Sequence, residues 1–359
     1  MHLVISLFSY ILITLISIKM ASGKRKMTVG AVISIALLFT LYNVIVTAMS
    51  TGLGGDRLNY YVDYIGVRPA GSTGLMIVIS LLRKITAHYE ILFYFSTFVC
   101  MILTLTAYRI SGIKSANALF FLLTTQYVLF TLTGIKQCYT NGFACLCLII
   151  ALQRKTKKDD ILCILLIILA ILFHPTGYLL IPLYLMVLIR KTTGLIILSF
   201  LLMLIVAFYM DTILEQCALF LKPFAPALST SISRYVGSTA LESLQTEGIM
   251  TVFKGVPFFI ITILGIRRRP RLKRVIEGYD SYLLLSAALS LVYLITIYNS
   301  WFYRMAYLLY LPVGIFFVRL MSHEKNRNNY IILNAAVIGI NAVLTLRFLA
   351  LIYLNYGGF

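Results

Sequence analysis

The sequence predicts an all-α, polytopic integral membrane protein, a helical bundle of about twelve spans forming a single transmembrane domain over residues 1–359. Three observations carry this. Only 12% of the residues are charged while 60% are hydrophobic, at a mean hydropathy of +0.94. A soluble domain carries roughly a quarter charged residues, so this composition cannot cover a water-facing surface. Apolar runs long enough to cross ~30 Å of hydrocarbon recur along the chain, and basic residues gather in the short stretches between them. Backbone groups in lipid have no water to satisfy them, which demands helices rather than open sheets.

The first run, 2–18, is followed by Lys19, Lys24, Arg25 and Lys26. A secretory signal carries its charges before the apolar core, so this run is a span. The positive-inside rule places the Lys24 loop in the cytoplasm and Met1 outside. Further spans follow at 27–48, 89–107, 116–133, 135–153, 160–173, 176–190, 193–213, 250–266, 281–298, 305–321 and 330–351. The apolar run at 71–85 cannot be another span, because counting it would put Arg154 to Lys158 outside, against the charge rule. It is expected to be a re-entrant or interfacial helix. The basic clusters at Lys24, Arg109/Lys114, Arg154 to Lys158, Arg190/Lys191, Arg267 to Arg274 and Lys325/Arg327 then share the inner side. Spans 160–173 and 176–190 are short, so they either dip in and return or cross where the bilayer is thin, with the His174-Pro175-Thr176-Gly177 turn lying below the outer surface.

The outer side is left with 49–70, the His174-Pro175 turn and 211–249, and loops 49–70 and 211–249 are expected to form the active-site mouth. The six cysteines fall mostly within apolar runs, and Cys145 and Cys147 point to different faces of a helix, so neither a disulfide framework nor a metal site is expected. The net charge of +19 is distributed as topology signals are, which argues against a nucleic-acid partner. No internal repeat is visible.

Polar residues concentrate at a few outer positions. Gly54-Gly55 precedes Asp56-Arg57-Leu58-Asn59-Tyr60-Tyr61; glycines permit backbone conformations other residues avoid and let a ligand approach the main chain. A helix there puts Asp56, Asn59, Tyr60 and Asp63 on one face, a carboxylate-rich lip beside Arg57 and Arg68. The plainer reading is a solvated loop with a local Asp–Arg pair. Lys136-Gln137 opens an apolar helix, where a cation faces a polar cavity and an anion or snorkels to the interface. His174 sits at a tight turn in which Pro175 starts the next helix without losing a hydrogen bond; it is either a satisfied structural residue or a chemical group. Arg234-Tyr235 lies in the long outer loop, and Arg304 lies beside Trp301 at the outer end of a span. Arginine suits phosphate or carboxylate, and an interfacial anchor is the alternative for Arg304.

In their order, these motifs resemble the EpsG-type branch of Wzy-like polysaccharide polymerases. Gly-Gly-Asp-Arg-x-x-Tyr-Tyr is similar to the family's Gly-Thr-Asp-Tyr-x-x-Tyr element, Lys136-Gln137 to its Arg-Gln element, Phe173-His174-Pro175-Thr176 to its Phe-His-x-Ser/Thr element, and Tyr303-Arg304-Met305-Ala306 to its late arginine-containing span. Gly55 stands where the family has Thr, and Lys136 replaces Arg, a point charge in place of a bidentate fork.

The resemblance implies a glycosyltransferase-type polymerase in a bacterial cytoplasmic membrane. It would join oligosaccharide repeat units carried on undecaprenyl pyrophosphate into O-antigen, capsule or exopolysaccharide on the outer face. The implied roles are Asp56 as base, with His174 as a second catalytic candidate. Arg57, Tyr60, Lys136, Gln137, Arg234, Tyr235 and Arg304 bind substrate, and no metal or other cofactor takes part. Membrane lipid is a partner, and the reading admits a chain-length regulator and a flippase as companions. The alternatives are a lipid-linked oligosaccharide flippase or transporter, whose paired inverted repeats are not visible here, and an outer-leaflet glycosyl or acyl transferase acting once per acceptor.

Overall fold

The computed structural model describes residues 2–21, 27–49, 56–67, 71–113, 134–188, 209–224, 226–233, 249–298 and 303–356. The expected span 116–133 and most of 193–213 lie outside them. Among the described residues every element is helical. Among the described residues four helices are long and apolar enough to cross a membrane: Val29–Ala48, Ile91–Ile110, Ile135–Leu152 and Asn328–Arg347. Shorter apolar helices accompany them, including Val4–Met20, Tyr279–Leu294 and Tyr310–Met321.

Helices α1 (His2–Ala21) and α2 (Val29–Met49) pair through aromatic side chains. Tyr10 lies 6.3 Å edge-on from Phe39 and 5.5 Å from Tyr42, and the hydroxyls of Ser6 and Tyr42 bond at 3.1 Å. Their opposite faces leave Val4, Phe8, Leu37 and Leu41 exposed, an apolar surface suited to lipid rather than water.

Helix α2 runs antiparallel to α5 (Ile91–Ile110). Asn43 Nδ2 donates to Thr97 Oγ1 at 2.5 Å toward one end of the pair, and Arg109 Nε donates to the Met27 carbonyl at 3.1 Å toward the other. The chain therefore leaves α2 and enters α5 at the same end. Between them lie α3 (Asp56–Ile65) and α4 (Thr73–Arg83). Helix α4 has eleven residues, a rise of ~16 Å, and stands with α3 between the facing ends of α2 and α5.

Helix α6 (Ile135–Leu152) is the centre of the bundle and is buried along nearly its whole length. It packs on α5 at Gly142, where an added Cβ would stand 3.1 Å from Leu103 Cδ1. Helix α7 (Lys157–Phe173) runs antiparallel to α6. Thr140 Oγ1 donates to the Ala170 carbonyl at 3.0 Å, and the thiols of Cys147 and Cys163 each donate to the other's carbonyl, at 3.7 and 3.5 Å. Helix α7 begins at a capping box in which Thr156 and Asp159 satisfy each other's exposed N–H groups. A 3-10 turn, Pro175–Leu179, leads into α8 (Leu180–Leu188), which returns beside α7 so that the Tyr184 hydroxyl reaches Asp160 at 2.8 Å.

Helices α9 (Met210–Leu221) and α10 (Pro226–Ser233) form a small pair, closed by the Ser229 hydroxyl on the Ala218 carbonyl at 2.7 Å. Helices α11 (Ile249–Leu272) and α12 (Tyr279–Tyr298) are antiparallel, with Thr262 Oγ1 at 2.7 Å from Ser286 and 2.9 Å from Ser290. The expected span 305–321 is broken by a turn at 307–309 into α13 (Tyr303–Ala306) and α14 (Tyr310–Met321). Phe258 of α11 stacks on both Tyr293 and Tyr310 at 5.2 Å. Helix α15 (Arg327–Asn334) continues through a π-turn, Ala335–Gly339, into α16 (Ile340–Tyr356).

Most of the basic residues lie at one end, although Arg83 and Lys84 at the close of α4 lie at the other. Arg109, Arg154 and the Arg267 to Arg274 run gather at one: Gly278 approaches the Leu152 carbonyl, Arg154 Nε meets Asp160 at 2.5 Å, and Asp280 accepts from Arg269 and Lys273. The turn between α7 and α8, with α3 and α4, lies at the other.

Candidate functional site

At the end away from the basic loops, α3, the start of α4, the first turn of α6 and the 175–179 turn converge. Helix α3 presents Arg57, Tyr60, Asp63 and Tyr64 to the bundle, all buried. The expected shared face needs one correction. Asn59 is exposed, because it sits at the edge of the buried arc, whereas Arg57 turns inward. Arg57 Nη2 donates to Thr47 Oγ1 at 2.6 Å and its guanidinium lies 4.6 Å over the Phe93 ring. Thr47 in turn donates to Asn43 at 3.1 Å, and Asn43 reaches Thr97, so the arginine is tied into the α2–α5 seam. The Tyr64 hydroxyl donates to the Thr86 carbonyl at 2.7 Å, and burial pushes that phenol up so that it remains a neutral donor.

Lys136, half-buried at the start of α6, points toward α3 and α4. Its Nζ lies 5.7 Å from the Tyr60 ring centroid, its backbone N–H approaches the Tyr60 hydroxyl at 3.5 Å, and a Cβ on Gly71 would stand 3.2 Å from Nζ. Tyr60 also packs edge-on to Phe93 at 5.9 Å. These contacts place the ammonium between Tyr60 of α3 and Gly71.

Gln137 turns the other way along the same helix. Its Nε2 donates to Asn141 Oδ1 at 2.9 Å while its Oε1 accepts from Thr176 Oγ1 at 3.1 Å. The Thr176 backbone N–H donates to His174 Nδ1 at 3.2 Å, and the hydroxyl of Thr176 lies 2.9 Å from the same nitrogen. His174 is thus the N-cap of the 3-10 turn. A ring nitrogen that accepts a backbone N–H carries no proton, so the neutral imidazole holds its proton on Nε2. Four side chains from two elements form one polar line, His174, Thr176, Gln137 and Asn141, running down α6 into the bundle. Asn141 Nδ2, fully buried at the inner end, has no hydrogen-bond partner among the described residues.

Two packing features hold this turn. Gly74 of α4 lies against the Phe173 ring, where a Cβ would come within 2.6 Å, and Phe173 stacks on Tyr139 at 4.2 Å. Gly177 lies against α7 itself, with a Cβ position 2.5 Å from the Ala170 carbonyl carbon. Helix α13, which carries Arg304, touches the same turn.

The remaining expected residues are placed less fully. Asp56 is the first residue of α3, and its side chain lies outside the description. The Arg304 side chain does too. Arg234 and Tyr235 fall outside the described residues altogether, as does Arg68. The sequence reading missed Asn141, an amide within an apolar span one turn beyond Gln137, whose spacing was the available signal. It also missed Gly71 and Gly74, which let α4 approach Lys136 and Phe173.

A model of the EpsG family matches residues 52–356, which includes every element of this site. No curated protein and no solved structure matches the chain.

Proposed function

The chain belongs to the EpsG family, and on that premise we propose that it polymerises lipid pyrophosphate-linked oligosaccharide repeat units into surface polysaccharide. The family ties the protein to polysaccharide biosynthesis, and the helices make it a membrane protein. The observation that carries the finer reading is the convergence of Lys136, Tyr60, Gln137 and the His174–Thr176 turn at the end opposite the basic loops. By the positive-inside rule that end faces outward, across about twelve spans of a bacterial cytoplasmic membrane. Loops 49–70 and 211–249 border its mouth.

The reaction forms a bond between an acceptor hydroxyl oxygen and the donor's anomeric carbon. The bond from that carbon to the pyrophosphate oxygen breaks, and the electron pair leaves with undecaprenyl pyrophosphate. The hydroxyl proton needs a base, and the leaving group needs cations. Asp56, at the start of α3, takes the first role. Lys136 takes the second, joined by Arg304, whose helix touches the His174 turn, and by Arg234. His174, donating from Nε2, holds a sugar or phosphate oxygen, with Gln137 fixing the turn that carries it. Tyr60, buried beneath the Lys136 ammonium, holds that cation in place, and Tyr235 offers a sugar-stacking face. Arg57, bound to Thr47 and Phe93, positions α3 and with it Asp56.

The test is direct: purified protein in lipid receives an undecaprenyl pyrophosphate-linked repeat unit, and the products are sized. A ladder of multiples of the repeat supports the reading. Unextended units moved across the bilayer would point to a flippase, and single additions to a transferase; either would replace the polymerase.

A further inference from the structure

The basic run at the end of α11 does not spend its charges in one way. Arg269 and Lys273 both bind Asp280, at 2.8 and 2.7 Å. Arg268 binds Glu324 and donates to the Leu320 carbonyl at 2.9 Å. Arg267 and Arg271, one helical turn apart and both exposed, have no hydrogen-bond or ion-pair partner among the described residues. They line a cavity of about 660 Å³ between α11 and α15, whose walls also include Asn329 and, on the apolar side, Leu264, Pro270, Ile332 and Leu333. Beside it, Ile263, Ile266 and Ile332 are each at least 60% exposed, an apolar surface leading away from the cations.

We propose that this cavity binds an anionic phospholipid of the leaflet at the basic end, with the headgroup phosphate on Arg267 and Arg271 and the acyl chains along Leu264 and Ile332. Two guanidinium groups at i and i+4 present forks that match phosphate oxygens. Arg268 is neutralised by Glu324, so the two uncommitted arginines set an excess of positive charge in the cavity. A free phosphate would use the cations but not the apolar wall. A zwitterionic lipid would use the wall but bring its own cation. Anionic headgroups at basic clefts between membrane helices satisfy both features. The inference is independent of the chemistry proposed for the opposite end.

Native mass spectrometry of the full chain in detergent, titrated separately with phosphatidylglycerol, phosphatidylcholine and glycerol phosphate, tests it. Phosphatidylglycerol should remain bound under conditions that strip phosphatidylcholine, and glycerol phosphate should not be retained. Arg267→Gln with Arg271→Gln should weaken phosphatidylglycerol retention about tenfold or more, since each change removes a charge-assisted contact. Arg267→Lys with Arg271→Lys should keep most of it, and Lys157→Gln with Lys158→Gln, in another basic loop, should keep it all. The Gln and Lys pairs are compared only where thermal melting matches the parent, and the Lys pair decides should the Gln pair melt early. Equal retention of phosphatidylcholine, retention of glycerol phosphate alone, or undiminished phosphatidylglycerol binding in a folded Gln pair would each overturn the proposal.

Discussion

Thr176 Oγ1 donates to Gln137 Oε1 at 3.1 Å, joining the His174 turn to the first turn of α6 across 39 positions of sequence. That one bond fixes the height of His174 relative to Lys136, the residue next to Gln137 in the same turn. It also commits the single hydroxyl proton of Thr176 to the glutamine, while the Thr176 backbone N–H occupies His174 Nδ1. With Nδ1 accepting that N–H, the ring proton sits on Nε2, and the role proposed for His174 is that of a donor.

A donor role separates the two amide replacements of His174. Glutamine places its NH2 near the Nε2 position, whereas asparagine reaches only to Nδ1 and restores the cap. His174→Gln should keep measurable polymerisation and His174→Asn should lose it, with both proteins equally abundant in the membrane. Equal loss in both variants, read from chain-length profiles, would favour a base at this position.

Asp56→Asn should abolish polymer formation without lowering the amount of protein, because an amide keeps the shape but cannot take up the acceptor's proton. Asp63, buried on the inward face of α3, should give a milder defect on the same change. Normal polymer length from the Asp56 variant would remove this carboxylate from the reaction.

The role proposed for Lys136, holding the departing pyrophosphate, is tested through its charge. Lys136→Gln should slow turnover of a lipid-linked repeat unit by roughly 10- to 150-fold, the equivalent of losing ~1.5–3 kcal/mol from a charge-assisted contact. Lys136→Arg should retain or raise the rate, since a guanidinium binds two oxygens at once. Arg304→Lys should be partly defective for the converse reason. An unchanged rate in Lys136→Gln would leave the anion to Arg234 and Arg304.

Much of this was legible because hydropathy and charge act over whole segments. The basic loops marked one end of the bundle, and the charge rule set the 71–85 run apart from the spans, where the structure has the short helix α4. Lys136, Gln137 and His174 could be singled out because polar groups are costly at their positions. Their partners could not. Thr176 meets Gln137 only after α6 and α7 pair, and the inward turn of Arg57 depends on Thr47 and Phe93, which no local pattern places beside it. The break at 307–309 was hidden for the opposite reason: Tyr307 to Leu309 are apolar enough to read as continuous helix.

Gly177 offers a test of the turn through stability. A side chain there would overlap the backbone of Ala170 and Ile171, so the turn or α7 must shift. Gly177→Ala should cost about 1–3 kcal/mol and, by moving Thr176 away from Gln137, should also lower polymerisation. Gly30→Ala, where the nearest neighbour is 3.9 Å away, serves as the control and should change neither.

The opposite end predicts a pH dependence. Asp280 accepts from Arg269 and Lys273, and these contacts hold its carboxyl below the usual carboxylate range despite partial burial. A depressed folded value means that stabilisation is complete above the unfolded value of about 4 and is lost as pH falls through the folded one. Asp280→Asn should therefore melt earlier than the parent at neutral pH, and the gap between the two melting temperatures should close as the pH is lowered below about 4. Asp159 is depressed as well, through the backbone N–H groups of Lys155 and Thr156, but it caps a helix start in an exposed loop and its replacement should move melting far less. A gap that stays constant from pH 7 to pH 3 would show that Asp280 acts through packing alone, and that the basic run at the end of α11 does not depend on it for its arrangement.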